Sequence, residues 1–422
     1  LLGVIEIKVR DAPKGTVLVA RELTPSVTAG IVKENIAGII TETGGTTSHS
    51  AILARALEIP AVLSVEGVAS SLKNGDTVVV DGSEGAVIVN PDDNTVAEYS
   101  KKRDAFLAER KELENYRGRE TKSASGEAYE LFCNIGKPED AVKAVDADGE
   151  GVGLFRTEFL FMDRTSIPTE DEQFEAYKKA ALILKGKSLI IRTLDIGGDK
   201  DIPYLGLEKE ENPFMGFRAI RYCLKNRELF KSQIKAILRA SAFGDIKIMF
   251  PLITTMDELR EGKKLVAECK ADLRNMGINF NENIQVGVMV ETASAAVIAD
   301  MLAKEADFFC FGTNDLTQMT YGFSRDDAGK FLNAYYDAKI FENDPFAKLD
   351  QVGVGKLMKM AIDLGRPVNS SLHVGICGEH GGDPSSVEFC NKLGLDYVSC
   401  SPFRVPIARL AAAQAAIAQK NA

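Results

Sequence analysis

The sequence predicts an α/β chain: a small α/β domain, then a helical linker, then a TIM-type (β/α)8 barrel. Three observations carry this. Over residues 1–92, short apolar runs alternate with turn residues. Residues 93–123 change to a stretch rich in Lys, Glu, Arg and Ala. Over residues 124–422, apolar strand-like runs alternate with helical segments, the pattern of a parallel sheet with crossover helices.

In the first region, residues 16–20 and 36–41 read as strands and residues 50–57 as a helix. Residues 77–80 and 86–89 read as a hairpin, joined by Asp81-Gly82-Ser83-Glu84-Gly85. In the linker, Tyr99, Phe106 and Leu113 fall seven apart, as on one face of a long helix that Gly118 ends. Such a helix would serve as a hinge between two bodies. In the third region the runs are 129–135, 151–155, 189–194, 246–250, 285–290, 308–312, 373–377 and 397–400. Eight βα units in about 300 residues match the barrel.

Composition narrows the function classes. The chain has 422 residues, 45% of them hydrophobic and 27% charged, a globular profile long enough for two or three domains. A net charge of −10 argues against duplex nucleic acid as a partner. No apolar run approaches the ~20 residues of a membrane helix. The seven cysteines are scattered, which reads as reduced thiols in a cytoplasmic protein. The chain starts at Leu1, as a fragment of something longer would.

In a TIM barrel, functional residues gather at the C-terminal ends of the strands. Here the second run ends Arg156-Thr157-Glu158, and the third holds Arg192 and runs on to Asp195 and Lys200. The fifth ends at Glu291, the sixth at Gly312-Thr313-Asn314-Asp315, and the seventh at Cys377-Gly378-Glu379. Arginine forks suit carboxylate and phosphate together. Glu291 and Asp315 end neighbouring strands, so both can bind one hard cation, Mg²⁺ or alternatively Mn²⁺. The bland alternative is a ring of salt bridges closing the barrel. Cys377 shares this mouth, where a thiol can hand a proton to carbon; its bland alternative is a small buried hydrophobe.

A second constellation is Gly44-Gly45-Thr46-Thr47-Ser48-His49, followed by the helix of residues 50–57. Glycines allow a tight turn and a helix N-terminus favours an anion, so His49 can carry a phosphoryl group. Taken alone, a His beside Ser/Thr caps also fits a capping or packing role. The chain has only three histidines, and this one sits on a small domain tied to the barrel by a helix, as a swinging carrier needs.

These motifs together resemble the phosphoenolpyruvate-utilising enzyme family, which includes Enzyme I of the bacterial sugar phosphotransferase system, pyruvate phosphate dikinase and phosphoenolpyruvate synthase. The match rests on the carrier motif at residues 44–55 and on GVGLFRTEFLFMDR (151–164), IRTLDIGGDK (191–200), NPFMGFRAIR (212–221), GVMVET (287–292) and FGTNDLTQ (311–318). The first 309 residues or so are similar to Enzyme I. The tail, including GICGEHGGDPSSVEF (375–389), is similar to the dikinases, so the chain resembles an Enzyme I body with a dikinase-like end. Thr46 stands where Enzyme I usually has a basic residue. Neither the helical insert that docks the carrier protein HPr nor a nucleotide-grasp domain is visible between Leu1 and His49.

The resemblance implies specific roles. Glu291 and Asp315 hold Mg²⁺. Arg156, Arg192 and Arg325 clamp the anionic oxygens of phosphoenolpyruvate, with Asn314 and Arg218 as further substrate contacts. His49 attacks the phosphorus, and Cys377 protonates the enolate carbon of the departing pyruvate. HPr, if its docking domain exists upstream, would take the phosphoryl group, and a homodimer is expected. The rival readings are a dikinase-type or synthase-type half enzyme lacking its nucleotide domain, a non-catalytic sensor of phosphoenolpyruvate, and a barrel lyase.

Overall fold

The computed structural model describes residues 9–23, 31–44, 51, 53, 54, 57–122, 126, 128–162, 164–198, 200 and 202–421. The chain divides into two compact units, residues 1–112 and 113–422.

In the first unit, β1 (Thr16–Ala20), β2 (Ile36–Thr41) and β3 (Ala61–Val62) form a parallel three-stranded sheet. Sequence reading finds β1 and β2 and misses β3, whose two residues are too few to show a period. β4 (Val78–Asp81) and β5 (Ala86–Val89) form the expected antiparallel hairpin. Its turn is closed by Asp81, whose Oδ1 accepts from the amides of Ser83 and Glu84 at 2.9 and 3.1 Å. Gly38 lets this hairpin approach: a Cβ there would meet Val80 Cγ2 at 3.0 Å. Ile39, Ile59, Leu23 and Ala54 supply the small core.

The helix Asp93–Leu113 follows, capped by Asp92, whose Oδ1 accepts from the Thr95 amide at 2.7 Å. None of its residues is buried, and Phe106 is 58% exposed. The seven-residue apolar spacing therefore marks one helix face but not a covered one. Polar contacts hold the helix to its own unit: Lys102 pairs with Asp81 and Glu84, and Arg110 with Glu58.

The second unit is a closed, all-parallel barrel of eight strands. They are β6 (Glu130–Ile135), β7 (Gly151–Arg156), β8 (Ser188–Arg192), β9 (Ile246–Phe250), β10 (Val286–Val290), β11 (Phe308–Gly312), β12 (His373–Cys377) and β13 (Tyr397–Cys400). All eight predicted runs are present in order, and β13 pairs back onto β6 through Tyr397↔Glu130 to close the ring. Alternation sorts the side chains. Phe132, Leu154, Ile190, Met249, Met289, Phe308, Cys310, Cys377 and Tyr397 fill the interior, with at least one from each strand. Their neighbours along each strand pack outward against the helices. Two of those helices, Glu170–Leu184 and Met256–Asn275, start with complete capping boxes at Thr169/Glu172 and Thr255/Glu258.

Between β11 and β12 the chain makes a long excursion. The helix Thr313–Tyr321 is followed by an aromatic satellite core in which Phe323 packs edge-on against Phe331 and Phe346. Among the described residues, no helix is long and apolar enough to cross a membrane.

Candidate active site

The strand ends of the barrel bring most of the predicted side chains into one charged cluster. Arg192, the last residue of β8, spans between two carboxylates: its Nη2 lies 3.0 Å from Glu158 Oε1 and its Nη1 2.9 Å from Asp195 Oδ2. Arg218 takes the other side of Asp195, placing Nε and Nη2 2.9 and 2.6 Å from Asp195 Oδ1. Its Nη1 reaches Asp315 Oδ1 at 3.1 Å. The charges thus alternate along one chain: Glu158, Arg192, Asp195, Arg218, Asp315.

Burial decides how these groups titrate. Burial alone would raise the Asp195 carboxyl, but Arg218 and Arg192 outweigh it and hold Asp195 below its ordinary value. Glu158 has less compensation. Burial raises it, with Arg192 opposing and the nearby Asp195 charge adding to the rise.

Glu291 follows β10 directly and is 1% exposed. Its Oε1 accepts from the Leu252 amide at 2.6 Å, while its Oε2 has no hydrogen-bond partner. Leu252 is itself buried and holds φ at +56°, outside the usual range of a branched side chain. Burial, then the Asp315 and Asp195 charges, push the Glu291 carboxyl well above the carboxylate range. Gly312 is the facing residue: a Cβ there would lie 2.5 Å from Glu291 Oε2. Asn314 adds a second buried oxygen without a partner, its Oδ1. A buried acceptor left unpaired is costly, so a cluster of them points to an occupant. Two carboxylates and an amide oxygen are the donor set of a hard divalent cation.

Cys377 ends β12, beside Gly312 in register, and is 3% exposed. All seven cysteines are free and buried. Burial raises six of them, Cys269 and Cys400 to about 12. Cys377 alone moves down. The neighbouring Cys310, backed by the Arg192 and Arg156 cations, outweighs its burial, and the Cys377 thiol itself donates to the Phe311 carbonyl oxygen at 3.7 Å.

Arg156 ends β7 half-buried, and among the described residues no carboxylate pairs with it. Arg325 lies on the excursion, its amide donating to Gln318 Oε1 at 2.7 Å and its guanidinium over the Phe346 ring at 5.9 Å. His49 and residues 45–50 of its motif lie outside the described residues; Ala51, Leu53 and Ala54 of the helix expected after it are helical.

Glu158 and Asp195, which the sequence places at the mouth without a role, are the carboxylates that hold Arg192 and Arg218. Their signal was their place beside the arginines in RTEF and RTLD, but nothing in the sequence says which carboxylates a guanidinium will occupy and which stay open.

Comparison with known proteins places this geometry. Residues 110–417 match the family described as PEP-utilising enzyme, PEP-binding domain, and residues 12–85 match the PEP-utilising enzyme, mobile domain. A phosphoenolpyruvate-protein phosphotransferase of Geobacillus stearothermophilus is 44% identical over 99% of this chain and 70% of its own length. Proteins of the same name from Bacillus subtilis and Staphylococcus carnosus are 44% and 43% identical, each over 94% of this chain. The chain spans 68% and 66% of their lengths. An NMR structure of Enzyme I (nEIt) aligns at 50% identity with 24% of this chain and 41% of its own, with a TM-score of 0.23, an overlap too small to bear on the fold.

Proposed function

Because the chain belongs to the family of phosphoenolpyruvate-utilising enzymes, we propose that it is a phosphotransferase that moves the phosphoryl group of phosphoenolpyruvate onto its own His49 and releases pyruvate. The observation that carries this is the strand-end cluster: buried cations, open oxygen donors and one acidified thiol at a single barrel mouth. Similarity to the Geobacillus protein runs through the tail as well as the body, which favours this reading over a dikinase-like half enzyme or a hybrid.

The division of labour follows from the chemistry. Phosphoryl transfer needs positioning and charge neutralisation more than covalent help. Arg156, Arg192, Arg218 and Arg325 bind and orient the substrate's anionic oxygens, with Asn314 as a further contact. Arg192 and Arg218 are held rigidly by Asp195, so their forks are set before substrate arrives. Glu291 and Asp315 would hold Mg²⁺, which when bound neutralises charge on the phosphate and carboxylate oxygens. A nitrogen of His49 forms the new bond to phosphorus as the bridging phosphorus–oxygen bond breaks. The enolate left behind takes the Cys377 proton on its methylene carbon and becomes pyruvate, leaving a thiolate that Arg192 and Arg156 favour. The phosphoryl group then passes to a phosphocarrier protein such as HPr. The protein works in the cytoplasm as a homodimer on this reading.

The test is to mix the protein with phosphoenolpyruvate labelled in its phosphate, and Mg²⁺, and map acid-labile label. It is expected on His49, and His49→Ala should abolish it while leaving substrate binding intact. Label persisting on the variant would overturn the assignment.

A further inference from the structure

The chain's third histidine, His380, belongs to none of the roles above, and its contacts are specific. It lies in the short turn Glu379–Gly382, three residues beyond Cys377, and is 0% exposed. Its Nε2 is 2.9 Å from the Pro345 carbonyl oxygen and its Nδ1 2.7 Å from Thr313 Oγ1. A carbonyl only accepts, so Nε2 carries the hydrogen. Burial favours the neutral ring. Nδ1 of a neutral ring is then the acceptor, and the Thr313 hydroxyl donates to it.

These two bonds join three segments. Thr313 opens the helix Thr313–Tyr321, and the next two residues are Asn314 and Asp315. Pro345 closes the aromatic excursion that carries Arg325, whose guanidinium sits on the adjacent Phe346. The turn bearing His380 is itself fixed. Gly378 holds φ at +100°, and a Cβ on Gly381 would lie 2.3 Å from the Ser399 carbonyl oxygen of β13. The imidazole is thus a rigid strut between the strand end of the thiol, the turn of the cation ligand and the arginine-bearing excursion.

We propose that His380 is a positioning residue, which acts through Thr313 to fix Asn314 and Asp315 against Glu291. It touches neither substrate nor cation. The inference rests on the reading of Glu291 and Asp315 as cation ligands given above.

Two substitutions separate the two arms of the imidazole. His380→Asn places an acceptor where Nδ1 lies and keeps the Thr313 bond. His380→Gln places a donor where Nε2 lies and keeps the Pro345 bond. Thr313→Val removes the hydroxyl from the other side at nearly constant volume, and stands in should either histidine variant fail to fold. Mn²⁺ binding, followed by electron paramagnetic resonance without turnover, is measured together with the rate of label uptake from phosphoenolpyruvate against Mg²⁺ concentration. His380→Gln and Thr313→Val are each expected to raise the Mg²⁺ concentration needed for label uptake, and to lower Mn²⁺ affinity, roughly tenfold, the scale of one lost buried hydrogen bond. His380→Asn should stay within about threefold of the parent. The double variant His380→Gln/Thr313→Val should be no worse than either single change, since both break one contact. Equal losses in His380→Asn and His380→Gln, or additive losses in the double variant, would overturn the proposal. Glu291→Gln serves as control. If it leaves Mn²⁺ affinity unchanged, the cation-site reading itself fails; if it weakens binding while Thr313→Val does not, only the role of His380 fails.

Discussion

Asp195→Asn is the substitution to which the barrel mouth should be most sensitive. Asp195 accepts from Arg218 at 2.9 and 2.6 Å and pairs with Arg192 at 2.9 Å. The side chains of Asp195, Arg218 and Arg192 are 3%, 8% and 13% exposed, so water screens little of this. The amide keeps one acceptor but turns N–H groups toward a guanidinium and leaves two buried cations side by side. Breaking a buried pair by neutralising one partner costs on the order of 3–5 kcal/mol. For a unit of about 300 residues, at about 2.1 cal/mol/K per residue, that is a fall in Tm of roughly 5–8 °C. The pH dependence has a definite sign. Asp195 sits below its ordinary value in the fold, so its stabilisation is complete above the unfolded value of about 3.9 and is lost as pH falls through the folded one. The gap between parent and variant should therefore narrow below about pH 4. Glu158 behaves oppositely. Its folded value is raised, so it lowers stability as pH climbs from about 4.3 toward that value, and Glu158→Gln should cost clearly less at pH 7. Calorimetric melts of both variants from pH 3 to pH 8, with label uptake from phosphoenolpyruvate at pH 7, make the comparison. Equal costs for the two substitutions, or a Tm for Asp195→Asn within about 1 °C of the parent, would refute the alternating-charge account.

Three further outcomes follow from the same cluster. Glu291→Gln should raise the Mg²⁺ concentration needed for label uptake by more than about tenfold, read from a metal titration; an unchanged requirement makes the carboxylate structural. Gly312→Ala puts a methyl 2.5 Å from Glu291 Oε2 and 2.8 Å from its Cβ, and should weaken Mn²⁺ binding and lower the melting temperature by an amount matching the roughly 1–3 kcal/mol of an overpacked site. Paramagnetic resonance and a thermal melt decide it, and parental affinity would mean Glu291 does not face Gly312. Cys377→Ser keeps the volume but is a far weaker acid, so Mg²⁺-dependent deuterium exchange into the methyl group of pyruvate should collapse. Exchange at the parental rate would return Cys377 to a packing role.

Much of the barrel was legible because each strand is a short apolar run whose two faces are both covered, as in β10, where every residue is buried. The strand ends announced the site because charged residues there break an otherwise apolar rhythm. Pairing was not legible. Glu158, Asp195, Glu291 and Asp315 look alike in sequence, yet three of them pair with arginines and Glu291 keeps an oxygen open. Arg218, taken from its motif only as an added substrate contact, turned out to bridge Asp195 and Asp315, the latter 97 residues further along the chain than Arg218. The bond from the Cys377 thiol to the Phe311 carbonyl oxygen is likewise a matter of register between β11 and β12, which no local pattern encodes. The exposed Phe106 shows the converse: an apolar period specifies a face, and only the fold says whether something covers it.

The left-handed backbone at Leu252 bears on how such a site can drift over generations. A branched residue at φ +56° carries about 1–2 kcal/mol of strain that glycine would relieve. Yet the side chain is fully buried, and deleting it would open a cavity costing about 2–5 kcal/mol. Neither direction is downhill, so the residue is trapped between backbone relief and core filling. Its amide meanwhile aims at Glu291 and leaves the second carboxylate oxygen open. A hydrophobic position thereby becomes an evolutionary ratchet for a polar one: lineages can exchange the side chain only for another of similar bulk, and the ligand geometry is inherited along with the packing.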